Sequence, residues 1–361
     1  MADIVVTYLN ERDKQWQADF KYWKDKEIKE GIAEVNNRQA FGKERTREWD
    51  TFKYWFRGIE KNCPWVNKVF LVVQNKNHVP EWLNIDHPKL RIVYHEEYIP
   101  KDLLPTFNAM TIGMYIANIE DLGENYIMCD DDFYFLNPIP DDKFFRYGSA
   151  NHQDNKVEYK LYSGYELEGT DNVFYHILNN NLKFEEHFNR DKVKYGFYHL
   201  PEARKKSFEK RILSNYEDEI KEHNNKSKFR HKSNLCAYMY SDLLKITGKA
   251  RLGNPYNNSC YCTLKSDVDF NIYKDKDIVC FNDTEQLDDY EKTKEKFIDF
   301  LNSMFPIKSS FEKEWYTMPY KSEAQRKYFN ANKDKLGRKM VEHWNKETGN
   351  KKLPKRVKKS K

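Results

Sequence analysis

The chain has no run of eighteen or more apolar residues, which excludes a membrane-spanning helix as an expectation. The opening "MADIVVTYLNERD" has no basic segment leading into an apolar one, so it does not read as a secretory signal. Its six cysteines are scattered, with no CxxC pair and no paired histidine spacing. That argues against a zinc framework and fits a reducing cytoplasm better than a set of disulfides. No GxxxxGK[ST] and no strand-borne GxGxxG is present, so neither a P-loop nor a dinucleotide fingerprint is expected. No GxSxG elbow marks a hydrolase nucleophile. Internal repeats and low-complexity linkers are also missing.

What is present is enough for a large core. The 361 residues are 39% hydrophobic and 16% aromatic, room for one large domain or two ordinary ones. The net charge of +5 hides an asymmetry. Residues 318–361 carry 15 Lys and Arg against 4 Asp and Glu, so the rest of the chain is acidic overall. The basic end reads in two ways: as a solvated, partly disordered tail, or as an electrostatic tether to anionic lipid or nucleic acid. No aromatic residues interleave the last basic run, which favours the plainer reading.

Short β-branched runs at 3–8, 68–74, 90–95 and 125–129 predict buried strands. Helical spacing of apolar residues runs through 47–62 and 106–119. This alternation predicts an α/β sheet, largely parallel, with helices on its faces. Residues from about 150 to 250 are rich in Lys, Glu, Asn and Tyr and predict a mostly helical insertion, including helices over 201–213 and 233–247. A last short strand is expected within 276–284.

Ligands of such sheets gather at the carboxyl ends of the strands. Asn10 and Asp13 follow the first strand, and Asp130, Asp131 and Asp132 follow the fourth. The same geometry can bring them to one cleft. Clustered carboxylates without neighbouring Lys or Arg suit a hard divalent cation. The plainer alternative is an acidic surface turn, against which stands the immediate return to apolar "FYFLNP". His199, before a proline and a helix, is a candidate general base or else a packed structural histidine. Arg230 is a candidate phosphate clamp or else a surface arginine.

Several stretches together resemble the Stealth family of sugar-phosphate transferases. That family includes bacterial capsule and exopolysaccharide enzymes and the lysosomal-enzyme N-acetylglucosamine-1-phosphotransferase. "DIVVTYLNERD" resembles its first block, matching at Asp3, Thr7, Asn10 and Asp13 and departing at Tyr8, Leu9 and Glu11. "RTREWDTFKYWFRGIEKNCPWVNKVFLVV", "PEWLNIDHPKLRIVYHEEYIP", "LPTFN" and "YIMCDDDFYFLNP" follow the second. Asp131 and Asp132 fall on the family's acidic pair, and Asp130 stands where Asn is common. "YHLPEARKKSFE" and "FRH" resemble the third block, carrying over His199, Pro201 and Arg230. Ser233 and Asn234 replace an acidic pair often found after that arginine. "VCFNDT" resembles the fourth, carrying over Asn282 and Asp283.

The resemblance covers roughly residues 1–290. It implies a GT-A-like (Rossmann-like) nucleotide-sugar core, with a transferase domain over 1–315 and a separate basic module over 316–361. The latter is similar to small basic modules of phage-encoded and related bacterial proteins. The resemblance also implies Mg²⁺ or Mn²⁺ on Asp131, Asp132, Asn282 and Asp283. It places Asn10, Asp13, Arg47 and Asn108 at the donor nucleotide and His199, Arg230 and Asp132 at the chemistry. The implied reaction moves a hexose-1-phosphate or N-acetylhexosamine-1-phosphate from a UDP-sugar to a hydroxyl of a glycan acceptor. It would serve capsule or exopolysaccharide synthesis, in the cytoplasm or at the inner face of the membrane. Two alternatives remain at this level: a metal-dependent glycosyltransferase attacking the sugar carbon, and a catalytically silent phage-associated binding protein.

Overall fold

The computed structural model describes residues 1–153, 164–170, 172–188, 199–313, 320, 322–336, 338–349 and 352–355. Eleven strands are present among them: β1 Asp3–Thr7, β2 Val69–Val73, β3 Leu90–Tyr94, β4 Asn125–Cys129, β5 Phe133–Phe135, β6 Phe145–Arg146, β7 Ser149–Gln153, β8 Glu202–Lys205, β9 Ala250–Gly253, β10 Cys260–Thr263 and β11 Ile278–Asn282. The main sheet has the order β3-β2-β1-β4-β8. Its first four strands are parallel, and β8 closes the edge antiparallel to β4. Two three-stranded sheets accompany it, β10-β11-β5 and β6-β7-β9.

The predicted strands lie where expected because β1 and β2 are almost wholly buried runs of Val, Ile, Leu and Phe. A parallel strand covered on both faces needs such a run rather than an alternating pattern. The helix Phe52–Asn62 covers the sheet with Phe52, Trp55, Phe56 and Ile59. It approaches β5 so closely that a Cβ on Gly58 would lie 2.9 Å from the carbonyl oxygen of Phe135. Helical spacing over 106–119 yields only the short helix Ala109–Met114 and a 3-10 turn at Ile116–Asn118.

The stretch at 201–213 departs from the expectation of a single helix. Glu202–Lys205 joins the main sheet, and the helix Lys206–Asn215 begins only after it. The region from 150 to 250 is therefore not purely a helical insertion: it supplies the fifth strand of the central sheet. Its charged residues are buried but paired. Arg204 donates to Glu202 at 2.6 Å and lies 3.5 Å from Glu209, whose other oxygen accepts from the Tyr126 hydroxyl. Burial of this kind is tolerated only with such pairing.

In the basic end, the helices Glu323–Ala331 and Arg338–Thr348 form, with Tyr320, Val341 and Trp344 buried. The Phe329 and Trp344 rings lie 4.7 Å apart. This part has apolar packing of its own and is not simply a solvated tail. The final basic run, 351–361, lies largely outside the described residues.

Candidate active site

A cavity of about 760 Å³ opens at the carboxyl ends of the parallel strands. Tyr8 enters it after β1, Gln74 after β2, His95 after β3 and the aspartates after β4. The volume lies within the range of cofactor- and substrate-sized sites.

Asp130, Asp131 and Asp132 form the turn between β4 and β5, closed by the Phe133 amide donating to the Asp130 carbonyl at 3.3 Å. A buried strand cannot carry three carboxylates inward, so β4 ends at Cys129 and the chain turns at the cavity rim. β5 then pairs antiparallel with β11, and the Phe281 amide donates to the Asp132 carbonyl at 2.9 Å. That bond sets Asn282 and Asp283 at the same cavity.

The carboxylates are electrostatically uncomfortable as they stand. Burial pushes the Asp131 carboxyl well above its ordinary range, and neighbouring Asp132, Asp130 and Glu48 add to it. Burial likewise pushes Asp132 up to about 6, with the His199 side chain opposing. One Asp132 oxygen, Oδ1, is buried without a hydrogen-bond partner. A divalent cation would supply what these groups lack, and oxygen donors fit Mg²⁺ or Mn²⁺. Asp131, Asp132 and the Asn282 side chain are the residues suited to hold it.

Asp283 is employed differently. Its Oδ1 lies 3.2 Å from Arg47 and accepts from the Thr284 amide, while its Oδ2 accepts from the Trp49 indole at 3.1 Å. Both oxygens are thus taken, and Asp283 fixes Arg47 at the cavity wall rather than offering a free ligand.

His199 lines the cavity with its ring edge against Phe133, centroids 5.1 Å apart. Its Nδ1 lies 2.8 Å from the Tyr238 hydroxyl. Arg230 also lines the cavity, on a loop anchored from below. Phe229 stacks on Phe107 at 5.1 Å and packs against Phe20 and Phe41. Glu27, from the helix Lys14–Lys29, accepts from the Ser227 hydroxyl and the Lys228 amide at 2.5 and 2.6 Å. Burial pushes the Arg230 guanidinium down to about 9, and the nearby charge of Arg45 adds to this. Two cationic side chains lining one cavity, with the charge of one felt by the other, favour an anion beside them.

Three residues expected at the donor do not line this cavity, and local structure explains each. The Asn10 side chain accepts from the Arg12 amide and donates to the Asn77 carbonyl, while its backbone N–H donates to His78 Nδ1. Asp13 caps the helix Lys14–Lys29 by accepting from the Trp16 amide at 2.7 Å. Asn108 is fully buried, accepting from the Met110 amide and donating to Asn234 Oδ1 at 2.9 Å. Short polar side chains at strand and helix ends serve the backbone first.

The departing pair Ser233 and Asn234 is structural as well. Asn234 accepts from Asn108 and from the His231 amide, and donates to the His223 carbonyl. The Ser233 hydroxyl donates to the same carbonyl at 2.8 Å. Sequence reading missed Tyr238, which it placed only in a helical stretch, and Arg45, visible there only as part of an arginine-rich opening. It also missed Glu48, which accepts from the Tyr8 hydroxyl at 2.7 Å and whose charge acts on Asp131.

Known proteins resemble this chain in sequence. The model of Stealth protein conserved region 2 matches residues 45–153, and that of conserved region 4 matches residues 272–318. The Capsular polysaccharide phosphotransferase WcwK of Streptococcus pneumoniae is 31% identical over 352 residues, covering 86% of this chain and 98% of its own. The Receptor polysaccharide phosphotransferase WefC of Streptococcus oralis is 30% identical over 347 residues, with the same coverage. The Capsular polysaccharide phosphotransferase CpsJ of Streptococcus thermophilus is 42% identical over 132 residues, 34% of this chain and 55% of its own. The conserved-region matches end at residue 318 and do not bear on the basic end.

Proposed function

The chain belongs to the Stealth family and is a phosphotransferase, and from that premise we propose that it moves a sugar-1-phosphate from a UDP-sugar to a glycan hydroxyl in the synthesis of a capsular polysaccharide. The observation that carries this reading is the Asp132 carboxylate, whose Oδ1 is buried without a partner, at the same cavity as His199 and Arg230. A GT-A-like core also agrees with the order β3-β2-β1-β4 and an antiparallel strand beyond β4.

A divalent cation held by Asp131, Asp132 and Asn282 would neutralise charge on the diphosphate. In the tautomer whose Nδ1–H donates to the Tyr238 hydroxyl, His199 keeps its Nε2 lone pair for the acceptor hydroxyl proton. As that proton leaves, the hydroxyl oxygen bonds to the phosphorus next to the sugar. The bond from that phosphorus to the bridging oxygen breaks, and the nucleoside monophosphate carries the electron pair away. Arg230, with Arg45 nearby, offsets charge on the phosphoryl oxygens. Arg47, fixed by Asp283, serves the nucleotide end.

The test is to incubate the protein with a panel of nucleotide sugars, Mg²⁺ or Mn²⁺ and an acceptor glycan, then identify the nucleotide by mass spectrometry. UMP supports phosphoryl transfer. UDP would mean attack at the sugar carbon and would overturn the proposal.

A further inference from the structure

We propose that Asp132, His199 and Cys280 form a second, softer metal site that takes Zn²⁺ or a similar borderline transition ion and stops the transfer reaction when filled. The inhibitory part rests on the function proposed above; the metal site itself does not.

A carboxylate oxygen, an imidazole nitrogen and a thiol sulfur lie within 4.8 Å of one another here. They come from three separate places: the turn after β4, the residue three before β8, and the middle of β11. Spacing along the chain gave no hint of them. The Cys280 thiol donates to Asp132 Oδ2 at 3.4 Å. In a tetrahedral zinc site, with Zn–S of about 2.3 Å and Zn–O of about 2.0 Å, sulfur and oxygen lie about 3.5 Å apart. The pair therefore already spans one edge of such a site. The pairing of β11 with β5, Cys280 opposite Phe133, holds that edge in place.

The donor set selects the ion. Mg²⁺ takes oxygen ligands, whereas one thiolate, one imidazole and one carboxylate suit Zn²⁺, with a fourth position open to water. Burial beside Asp132 keeps the thiol protonated in the metal-free protein. On binding, the S–H bond gives up its proton to solvent and the thiolate pair bonds to the metal. A filled site removes Asp132 from the hard-cation site and occupies a nitrogen of His199.

The experiment titrates the metal-free, full-length protein with Co²⁺ alone and with Zn²⁺ alone. Co²⁺ is expected to produce a near-ultraviolet thiolate charge-transfer band and the visible bands of four-coordinate cobalt. Cys280→Ser and Cys280→Ala, two variants in case one fails to fold, lose the near-ultraviolet band; Cys260→Ser keeps it. Loss of an outer-shell partner already costs about 10–100-fold in metal affinity, so Zn²⁺ affinity falls at least about tenfold in the Cys280 variants. Their turnover without zinc persists and resists zinc inhibition by a similar factor. The absence of a thiolate band in the wild type, or equal zinc affinity in the Cys280 variants, would overturn the site. A thiolate band in a protein that releases no nucleotide would instead sink the proposed function and leave the metal site standing.

Discussion

The Nδ1 nitrogen of His199 and the hydroxyl of Tyr238 lie 2.8 Å apart, so the tyrosine engages that ring nitrogen and orients the ring. Burial holds the Tyr238 hydroxyl protonated far above neutral pH. It therefore acts as a neutral partner and brings no charge of its own.

Replacing Tyr238 with Phe removes this partner and leaves the ring in place. A hydrogen bond of this kind contributes about 1 kcal/mol, so kcat is expected to fall roughly fivefold to tenfold with little change in KM. His199→Ala removes the base itself and is expected to cost about 10²–10⁴ in kcat. Steady-state kinetics on both variants checks this. A Tyr238→Phe enzyme as slow as His199→Ala would mean that the tyrosine does more than position the ring.

Asp132 predicts a pH dependence. Its carboxyl is raised by burial to about 6, against an ordinary value of about 3.9. For a group raised on folding, the stabilising contribution is full below the unfolded value and is lost as pH rises through the folded one. The cation-free protein thus gains stability through this group as pH falls from 7 toward 4. Mn²⁺ affinity runs the other way, because the ion needs the carboxylate, and falls as pH drops below about 6. Calorimetric titration with Mn²⁺ at several pH values, beside melting curves without metal, measures both trends. Asp132→Asn is expected to abolish the pH dependence of binding along with the binding.

Asn234→Asp puts a carboxylate at a fully buried position and is expected to destabilise this protein. Asn234 is fully buried and its amide donates to the His223 carbonyl. A carboxylate cannot make that bond and would face a carbonyl oxygen instead. The cost is about 1–3 kcal/mol or more, readable as a lower urea midpoint at an unchanged slope. A variant as stable as the wild type would show that the site can relax.

The pair Arg57 and Glu312 tests what ties residues beyond 305 to the core. The guanidinium donates to both Glu312 oxygens, at 2.7 and 2.8 Å, and to the Phe305 carbonyl at 2.9 Å. Both side chains are buried. Glu312→Ala leaves a buried arginine without its counter-ion and is expected to cost about 3–5 kcal/mol. Denaturant unfolding of the two single variants and the double variant measures the coupling.

How much of this was legible in the sequence depends on whether the signal was local. β2 is an uninterrupted apolar run, and β1 and β4 carry apolar runs inside polar end residues; a buried parallel strand can be built from little else. The aspartate turn after β4 follows from the same rule, since carboxylates cannot continue such a strand. β8 was hidden because Glu202, Ala203, Arg204 and Lys205 carry no apolar period. The burial of Glu202 and Arg204 is made possible by their own pairing and by Glu209, which in turn accepts from Tyr126, a residue distant in the chain.

The sequence by itself determined the strand runs, the carboxylate turn, and the family regions that carry Asp131, Asp132 and Asn282. Only the tertiary structure decided their employment. It assigned Asp13 and Asn108 to the backbone, Asp283 to Arg47, and Tyr238 to His199, and it set Cys280 against Asp132. The physical reason is that composition and spacing report what a side chain can bond to. Which partner it bonds to is decided by strand pairing and by which groups burial leaves without water.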